Sequence, residues 1–287
     1  MYEHQPQHRP EAGVTAEMSW REVAVGGHPV AYGVVGHGSP VVFLHGFGLT
    51  HRTYAGALRR LSGMGVRVYA PALPGFGGTP ELPPRRRNLA GYAHWLAAFL
   101  DALGLDEPVT LVGHSFGGGV AIQSAHDLGD RVARLVLINS VGGAAWSPAD
   151  GRVRPIRERP LWEWGAAATG DALATRPPVS ALVTIAIDAV VNAVRNPRAV
   201  LRIADLARTA DLRRELVELA DRGLPVTLLW SHSDTFIPRA SFESLRAALR
   251  NPPVLTVAGC HGWLIGDPDG FGNAMAAVLD ERAQGVA

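Results

Sequence analysis

Between Val109 and Gln123 the chain reads VTLVGHSFGGGVAIQ, a strand-forming run that meets a helix-compatible one with Ser115 at the junction, between Gly113 and the block Gly117 to Gly119. A strand that turns this abruptly into a helix drives side chains two positions either side of the junction into it or into neighbouring strands. Glycine removes that collision. The stretch therefore predicts a buried strand, a tight strained turn and a helix, and helices that follow buried strands are the crossovers parallel sheets require.

The rest of the chain repeats that rhythm. Two short alternating segments, REVAV and HPVAYGVVG, are parted by Gly26 and Gly27 and followed by the solid apolar run VVFL at 41–44. Alternation predicts half-exposed antiparallel strands, and a solid run predicts a strand covered on both faces. Strands then alternate with helices: a helix around 52–61, strand VRVYA, helix 88–104, strand PVTLVG, the helix from Ser115 and strand ARLVLINS. The pattern breaks from about 144 to 220, where helical periodicity continues without a convincing strand, and LPVTLLW, SFESLRAALR, PPVLTVAG and a helix over about 268–282 resume it. These features predict one doubly wound α/β core, residues 18–143 and 221–287, carrying a helical cap at 144–220 behind a loose tail at 1–17.

Composition narrows the partners. The chain has 287 residues, 47% hydrophobic and 18% charged, and its net charge of +1 gives no overall field for nucleic acid or an anionic membrane. A lone cysteine, Cys260, cannot close an internal disulfide, and the polar N-terminal segment lacks the pattern of a secretory signal. The apolar run ALVTIAIDAVV carries Asp188 and is too short for a membrane span. A cytoplasmic protein acting on a small molecule, as a monomer or homodimer, is the expectation.

Gly113-His114-Ser115-Phe116-Gly117 has the G-x-S-x-G form with a strand before it and a helix after it. No lysine follows as a phosphate loop requires, and the glycine spacing is not that of a dinucleotide turn. A serine hydroxyl needs a base and the base needs an orienting acid. Of eleven histidines, His261 alone follows a buried strand in a loop near the chain's end, AGCHGW, at the carboxyl edge where sites on such sheets collect. His114 is expected to point away from Ser115, and His45 to brace its loop. The acid falls to Asp234 in LLWSHSDTFIP, because the alternative place after ARLVLINS holds Asn139 and Ser140. The backbone amides of Phe116 and Phe47, the latter in the turn His45-Gly46-Phe47-Gly48, are assigned to an oxyanion hole, with Gly46 beside the substrate. Asp267 and Asp269 are expected to cap the last helix around Pro268.

With these residues in view, the chain from about Trp20 onward closely resembles the α/β-hydrolase superfamily. The resemblance rests on HGFG at 45–48, LPGFGGT at 73–79, GHSFGG at 113–118, the WSHSDTFIP loop and the CHGW loop, all in the expected order. It implies an α/β-hydrolase fold, with an eight-stranded mostly parallel sheet flanked by helices and a helical cap inserted after strand 6. It also implies a Ser-His-Asp hydrolase with no metal and no cofactor. Ala72 stands where members often carry Asp, and Ser231 where they carry Gly. Serine at the nucleophile position argues against haloalkane dehalogenases and epoxide hydrolases, and HGFG lacks the G-P-G form frequent in carbon-carbon bond hydrolases.

For the pocket, the cap offers Trp146, Trp162 and Trp164 and the apolar helix VSALVTIAIDAVVNAV; packing of the cap onto the core is the competing explanation for each residue. Phe47, Phe116 and Trp263 neighbour the presumed catalytic positions and are the favoured walls. The basic sets Arg85 to Arg87 and Arg152, Arg154, Arg157, Arg159 are read as solvated loops. The expected activity is cleavage of a carboxylic ester of a largely apolar substrate through an acyl-enzyme. The alternatives are cofactor-free perhydrolysis or carbon-carbon bond hydrolysis on the same triad, and a ligand receptor with little turnover.

Overall fold

A computed structural model describes residues 16–148, 150–175, 177, 179–195 and 197–284. Most of the expected tail, residues 1–15, lies outside the described residues. The main sheet contains β1 (Ser19–Val25), β2 (His28–Gly36), β3 (Ser39–Leu44), β4 (Val66–Pro71), β5 (Val109–His114), β6 (Val132–Ile138), β9 (Val226–Ser231) and β10 (Val254–Val257). Its spatial order is β1-β2-β4-β3-β5-β6-β9-β10. Only the pairs β1/β2 and β2/β4 are antiparallel; every pair from β4/β3 to β9/β10 is parallel. This is the eight-stranded, mostly parallel sheet that the resemblance to the α/β-hydrolase superfamily implies.

The solid apolar runs follow from burial on both faces. Val42, Leu44, Leu111, Leu135 and Leu137 point into one core cluster with α2 (Leu89–Ala102) and α3 (Phe116–Leu128). Their neighbours Val41, Phe43, Val112, Val136 and Ile138 point into the other, with α1 (Ala55–Arg59) and α10 (Pro268–Gln284). α1 is shorter than the sequence suggests, because residues 51–54 form turns that present Tyr54 to the loop after β3. Asn88 caps α2 by accepting from the Gly91 amide, and Asp267 accepts from the Gly270 amide ahead of Pro268 in α10. Asp269 instead pairs with Arg60.

Between β6 and β9 lie α4 (Leu161–Thr175), α5 (Val179–Arg195), α6 (Pro197–Thr209) and α7 (Arg213–Asp221). They are preceded by a two-residue ladder, β7 (Ala145–Trp146) with β8 (Arg154–Pro155), too short to leave an alternation that sequence reading detects. Leu216 and Leu219 of α7 are fully buried in the main core cluster. α6 adds Ala199 and Ile203 to that core, and its Arg202 grips both oxygens of Glu81. α5 has an unusual polarity: Asp188 turns inward to accept from the hydroxyls of Thr50 at 2.7 Å and Thr53 at 3.1 Å, while Val179, Val183, Ile187, Val190 and Val194 face outward. α8 (Arg239–Ala248) lies between β9 and β10, and the short α9 (Trp263–Gly266) follows β10. Among the described residues no helix is long and apolar enough to cross a membrane.

The junction of β5, α3 and β3 tolerates no added atoms. A Cβ on Gly117 would lie 2.1 Å from the Leu44 carbonyl oxygen and 2.6 Å from that of His45, and one on Gly113 2.5 Å from the Gly117 oxygen. Both obstacles are backbone. Gly117→Ala is therefore expected to lower stability by about 1–3 kcal/mol or more in urea unfolding. Gly170→Ala in α4, where nothing lies within 4 Å, is expected to be neutral or stabilising. Equal effects of the two substitutions contradict this packing.

Candidate active site

Ser115 stands between β5 and α3 with φ 55° and ψ −118°, a conformation that non-glycine residues avoid. Its amide donates to the Ile138 carbonyl, and its own carbonyl accepts from the amides of Gly118 and Val141, so the backbone is held from both sides. The amide of Phe116 follows at the first position of α3, where no preceding helical turn supplies an acceptor. Anions are favoured at such a terminus.

His261 lies in the loop between β10 and α9, and its Nδ1 is 2.8 Å from Oδ2 of Asp234. The other oxygen of Asp234 accepts from the amides of Phe236 at 2.8 Å and Ile237 at 2.9 Å, which fixes the carboxylate in its turn. Since a carboxylate accepts, Nδ1 carries the proton and Nε2 is left to act as a base. Burial disfavours the imidazolium, but the charge and hydrogen bond of Asp234, aided by the charge of Asp171, outweigh it and raise the pKa above the ordinary histidine value. Both Ser115 and His261 line one cavity of about 590 Å³ under α4, α5 and α6.

A second polar chain braces the loops around this cavity. The Gly46 amide donates to the Tyr54 hydroxyl at 3.1 Å, which lies 2.8 Å from Nδ1 of His114, and Nε2 of His114 lies 3.0 Å from the His261 carbonyl. A carbonyl only accepts, so Nε2 of His114 carries its proton and Nδ1 accepts from Tyr54. Burial, with the nearby His261, holds the His114 pKa well below the usual value, which keeps it neutral as this pattern requires. His114 thus does not turn away from the site: its ring packs 4.8 Å from that of His261. His45 is held neutral by burial, its pKa lowered to about 4, and it accepts from the Leu73 amide while donating to the Gly46 carbonyl. The Gly46 amide is thereby occupied by Tyr54, and Phe47 is among the residues that line the cavity.

Asn139, at the position where a carboxylate is missing, serves as a clip. Its amide group donates to the Ser231 hydroxyl at 2.8 Å and the His261 carbonyl at 3.1 Å, and its oxygen accepts from the Ser231 amide at 2.9 Å. Ser231 in turn donates to the Cys260 carbonyl. Its hydroxyl, absent from the glycine expected there, ties the end of β9 to the base loop.

The cavity wall differs from expectation. Phe47 and Gly46 line it, but Trp146, Trp162 and Trp263 do not. Trp146 packs with Ala144 and Ile156 in a separate cluster, and Trp263 is buried against Phe271 in the core. The Phe116 ring is also in the core, edge-on to Tyr92 at 5.3 Å, leaving only its backbone near the site. Trp162 is 72% exposed, whereas Trp164 lines the cavity. Two positions along a helix turn by about 200°, so the two tryptophans of α4 cannot share a face. Phe236 stacks on His261 at 4.8 Å, and Leu182 and Ile185 come from the inner side of α5.

Arg159 is not a solvated member of its basic set. It is buried, donates to the carbonyls of Phe236 at 2.7 Å and Thr235 at 3.1 Å, pairs with Glu163 and covers the Trp164 ring at 4.5 Å. Arg152, Arg154 and Arg157 are exposed as expected. Spacing alone does not single out Arg159, three residues before Trp162 in a largely exposed run. Among the described residues no group of histidine, cysteine and carboxylate side chains is placed to hold a metal ion.

A doubly wound sheet with a strained serine after its central strand, a histidine after its last strand and an aspartate bonded to that histidine defines the class of α/β-hydrolase folds. The chain belongs to the alpha/beta hydrolase family, whose model matches residues 41–274. It is 32% identical over 251 residues to a pimeloyl-[acyl-carrier protein] methyl ester esterase of Aromatoleum aromaticum, covering 80% of this chain and 93% of that protein. An uncharacterized protein of Mycobacterium tuberculosis is 30% identical over 250 residues, 78% of this chain and 70% of the relative. The crystal structure of a bromoperoxidase from Bacillus anthracis superposes with a TM-score of 0.73 at 21% identity, covering 91% of this chain and all of the other. That likeness speaks for the fold.

Arg159→Met keeps the aliphatic stem but leaves the Phe236 and Thr235 carbonyls without their donor. The expected outcome is a loss of about 1–3 kcal/mol in thermal or urea unfolding, together with a lower turnover rate on any substrate found. Full stability and full activity in this variant contradict the bracing of the acid loop.

Proposed function

We propose that the protein is a serine hydrolase that cleaves a carboxylic ester of a small to medium, largely apolar substrate through an acyl-enzyme. The observation that carries the reading is the shared cavity: a strained serine and a histidine already oriented by a carboxylate open onto one apolar space beneath helices. In this reading Ser115 Oγ attacks the acyl carbon while Nε2 of His261 takes its proton. Asp234 stabilises the imidazolium, and the amides of Phe47 and Phe116 receive the charge that develops on the carbonyl oxygen. His261 then gives the proton to the leaving alcohol; a water deprotonated by His261 attacks the acyl carbon, the bond to Ser115 Oγ breaks, and Oγ takes the proton back as the acid leaves.

The likeness to a methyl ester esterase supports an ester over the alternatives on the same triad, and the cavity size suits a substrate of moderate length. Perhydrolysis is the nearest rival because it uses the same acyl-enzyme with peroxide in place of water. Peracid formation from acetate and peroxide at rates above ester hydrolysis would favour it.

Two outcomes are expected. Ser115→Ala should lower kcat on aryl esters by three or more powers of ten, to the residual level that the oxyanion site alone gives; a variant of verified purity that retains its rate contradicts the assignment. The base must be neutral to accept a proton, and Asp234 and Asp171 hold its protonated form against the opposing burial. Accordingly kcat/KM should fall toward acid with an apparent pKa above the ~6.5 of a free histidine. An acid limb below that value would mean that a different group titrates.

A further inference from the structure

The walls of the cavity are almost wholly apolar, built by Phe47, Leu49, Trp164, Leu182, Ile185 and Phe236. Asp171 of α4 interrupts them. Its Oδ1 accepts from the amide of Gly262, the residue after His261, at 3.2 Å, and its Oδ2 has only a long contact of 3.4 Å with the Thr175 hydroxyl. That hydroxyl has a better partner in the Asp171 carbonyl at 2.8 Å. The carboxylate therefore keeps unused acceptor capacity.

Among the described residues no arginine is paired with this carboxylate. Arg208, which also lines the cavity, pairs with Asp205 at 2.6 Å, and Arg159 pairs with Glu163. Asp188 on the adjoining helix is satisfied by two hydroxyls, so its charge is answered locally. Among the described residues Asp171 takes part in no ion pair, although it stands beside a site of low polarity where an uncompensated charge acts strongly on whatever enters. A carboxylate at a binding wall attracts a cation and repels an anion, and an apolar surround amplifies both effects.

We propose that Asp171 is a specificity-determining residue, which makes the cavity select acyl substrates carrying a cationic group near the scissile bond, esters of amino alcohols being the type, and disfavour those carrying a carboxylate there. The proposal rests on the ester-hydrolase reading of the same site. It assigns to α4 a role in choosing the charge of the substrate, separate from the apolar walls that choose its bulk. Carboxylate recognition by Arg208 is the opposite outcome, and the same measurement reads it.

The test compares butyrate esters of choline, of 3,3-dimethylbutanol, which is choline's uncharged isostere, and of 3-hydroxypropionate. In the wild-type protein kcat/KM for the choline ester is expected to exceed that for the isostere at least tenfold, with the anionic ester at least tenfold below the isostere. Asp171→Asn keeps an oxygen for the Gly262 amide and removes the charge; it should compress the choline-to-isostere ratio to within about threefold. A ratio unchanged by the substitution, or a wild-type preference for the anionic ester, overturns the proposal. Inactivation of Ser115 by cationic, neutral and anionic organophosphonates of matched size provides a readout that needs no ester turnover. The same rank order there, without hydrolysis of any ester, would uphold Asp171 and discard the ester-hydrolase reading. Inactivation without rank order discards Asp171 alone.

Discussion

The approach of the α3 N-terminus to the ends of β3 and β5 is the contact on which the rest depends. Backbone meets backbone there at distances that admit hydrogen only, so Gly113 and Gly117 are required, and Ser115 between them is forced to φ 55°. A strained residue of this kind costs about 1–3 kcal/mol and persists only where its surroundings overdetermine it. Here backbone hydrogen bonds to Ile138, Gly118, Gly119 and Val141 do so. The same closeness brings the start of α3 against the end of β3, with Leu44 and His45 at backbone contact distance from Gly117.

Beneath that point, neutral polar side chains tie separate loops together. His114 and Asn139 both donate to the carbonyl of His261, one from the end of β5 and the other from just past β6. Through Tyr54 the same network reaches Gly46, and through Ser231 it reaches Cys260. Each member is buried, so every donor and acceptor that went unpaired would carry a desolvation cost. Burial keeps the pKa of His114 far below the usual value, whereas His261, only one ring away, is raised by the carboxylates it faces. Two neighbouring imidazoles are thereby given different protonation behaviour by their partners.

Much of this was legible in the sequence because the signals were local. The solid apolar runs marked the parallel strands, and the glycines around Ser115 marked the turn. The loops holding Asp234 and His261 could be read from their places after buried strands. What was not legible depended on contacts between distant segments. Arg159 looks like its exposed neighbours until the acid loop folds over it, and Trp162 and Trp164 are equivalent until the phase of α4 against the core is known. Trp263 was misplaced for a related reason: proximity to His261 along the chain does not set the direction of a side chain that begins a new helix. The outward apolar side of α5 likewise defeats a reading from hydrophobicity, since its inner side carries Asp188 and, among the described residues, Leu182 and Ile185 reach the cavity.

The central claim is that the hydroxyl of Ser115 is made nucleophilic by His261. A fluorophosphonate probe applied to the purified protein, followed by peptide mapping of the adduct, tests it most directly. The account predicts a single adduct on the peptide containing Ser115 in the wild type, and a labelling rate lowered by at least a hundredfold in His261→Ala. Adduct formation at another residue, or labelling of Ser115 that is indifferent to loss of the imidazole, would contradict it.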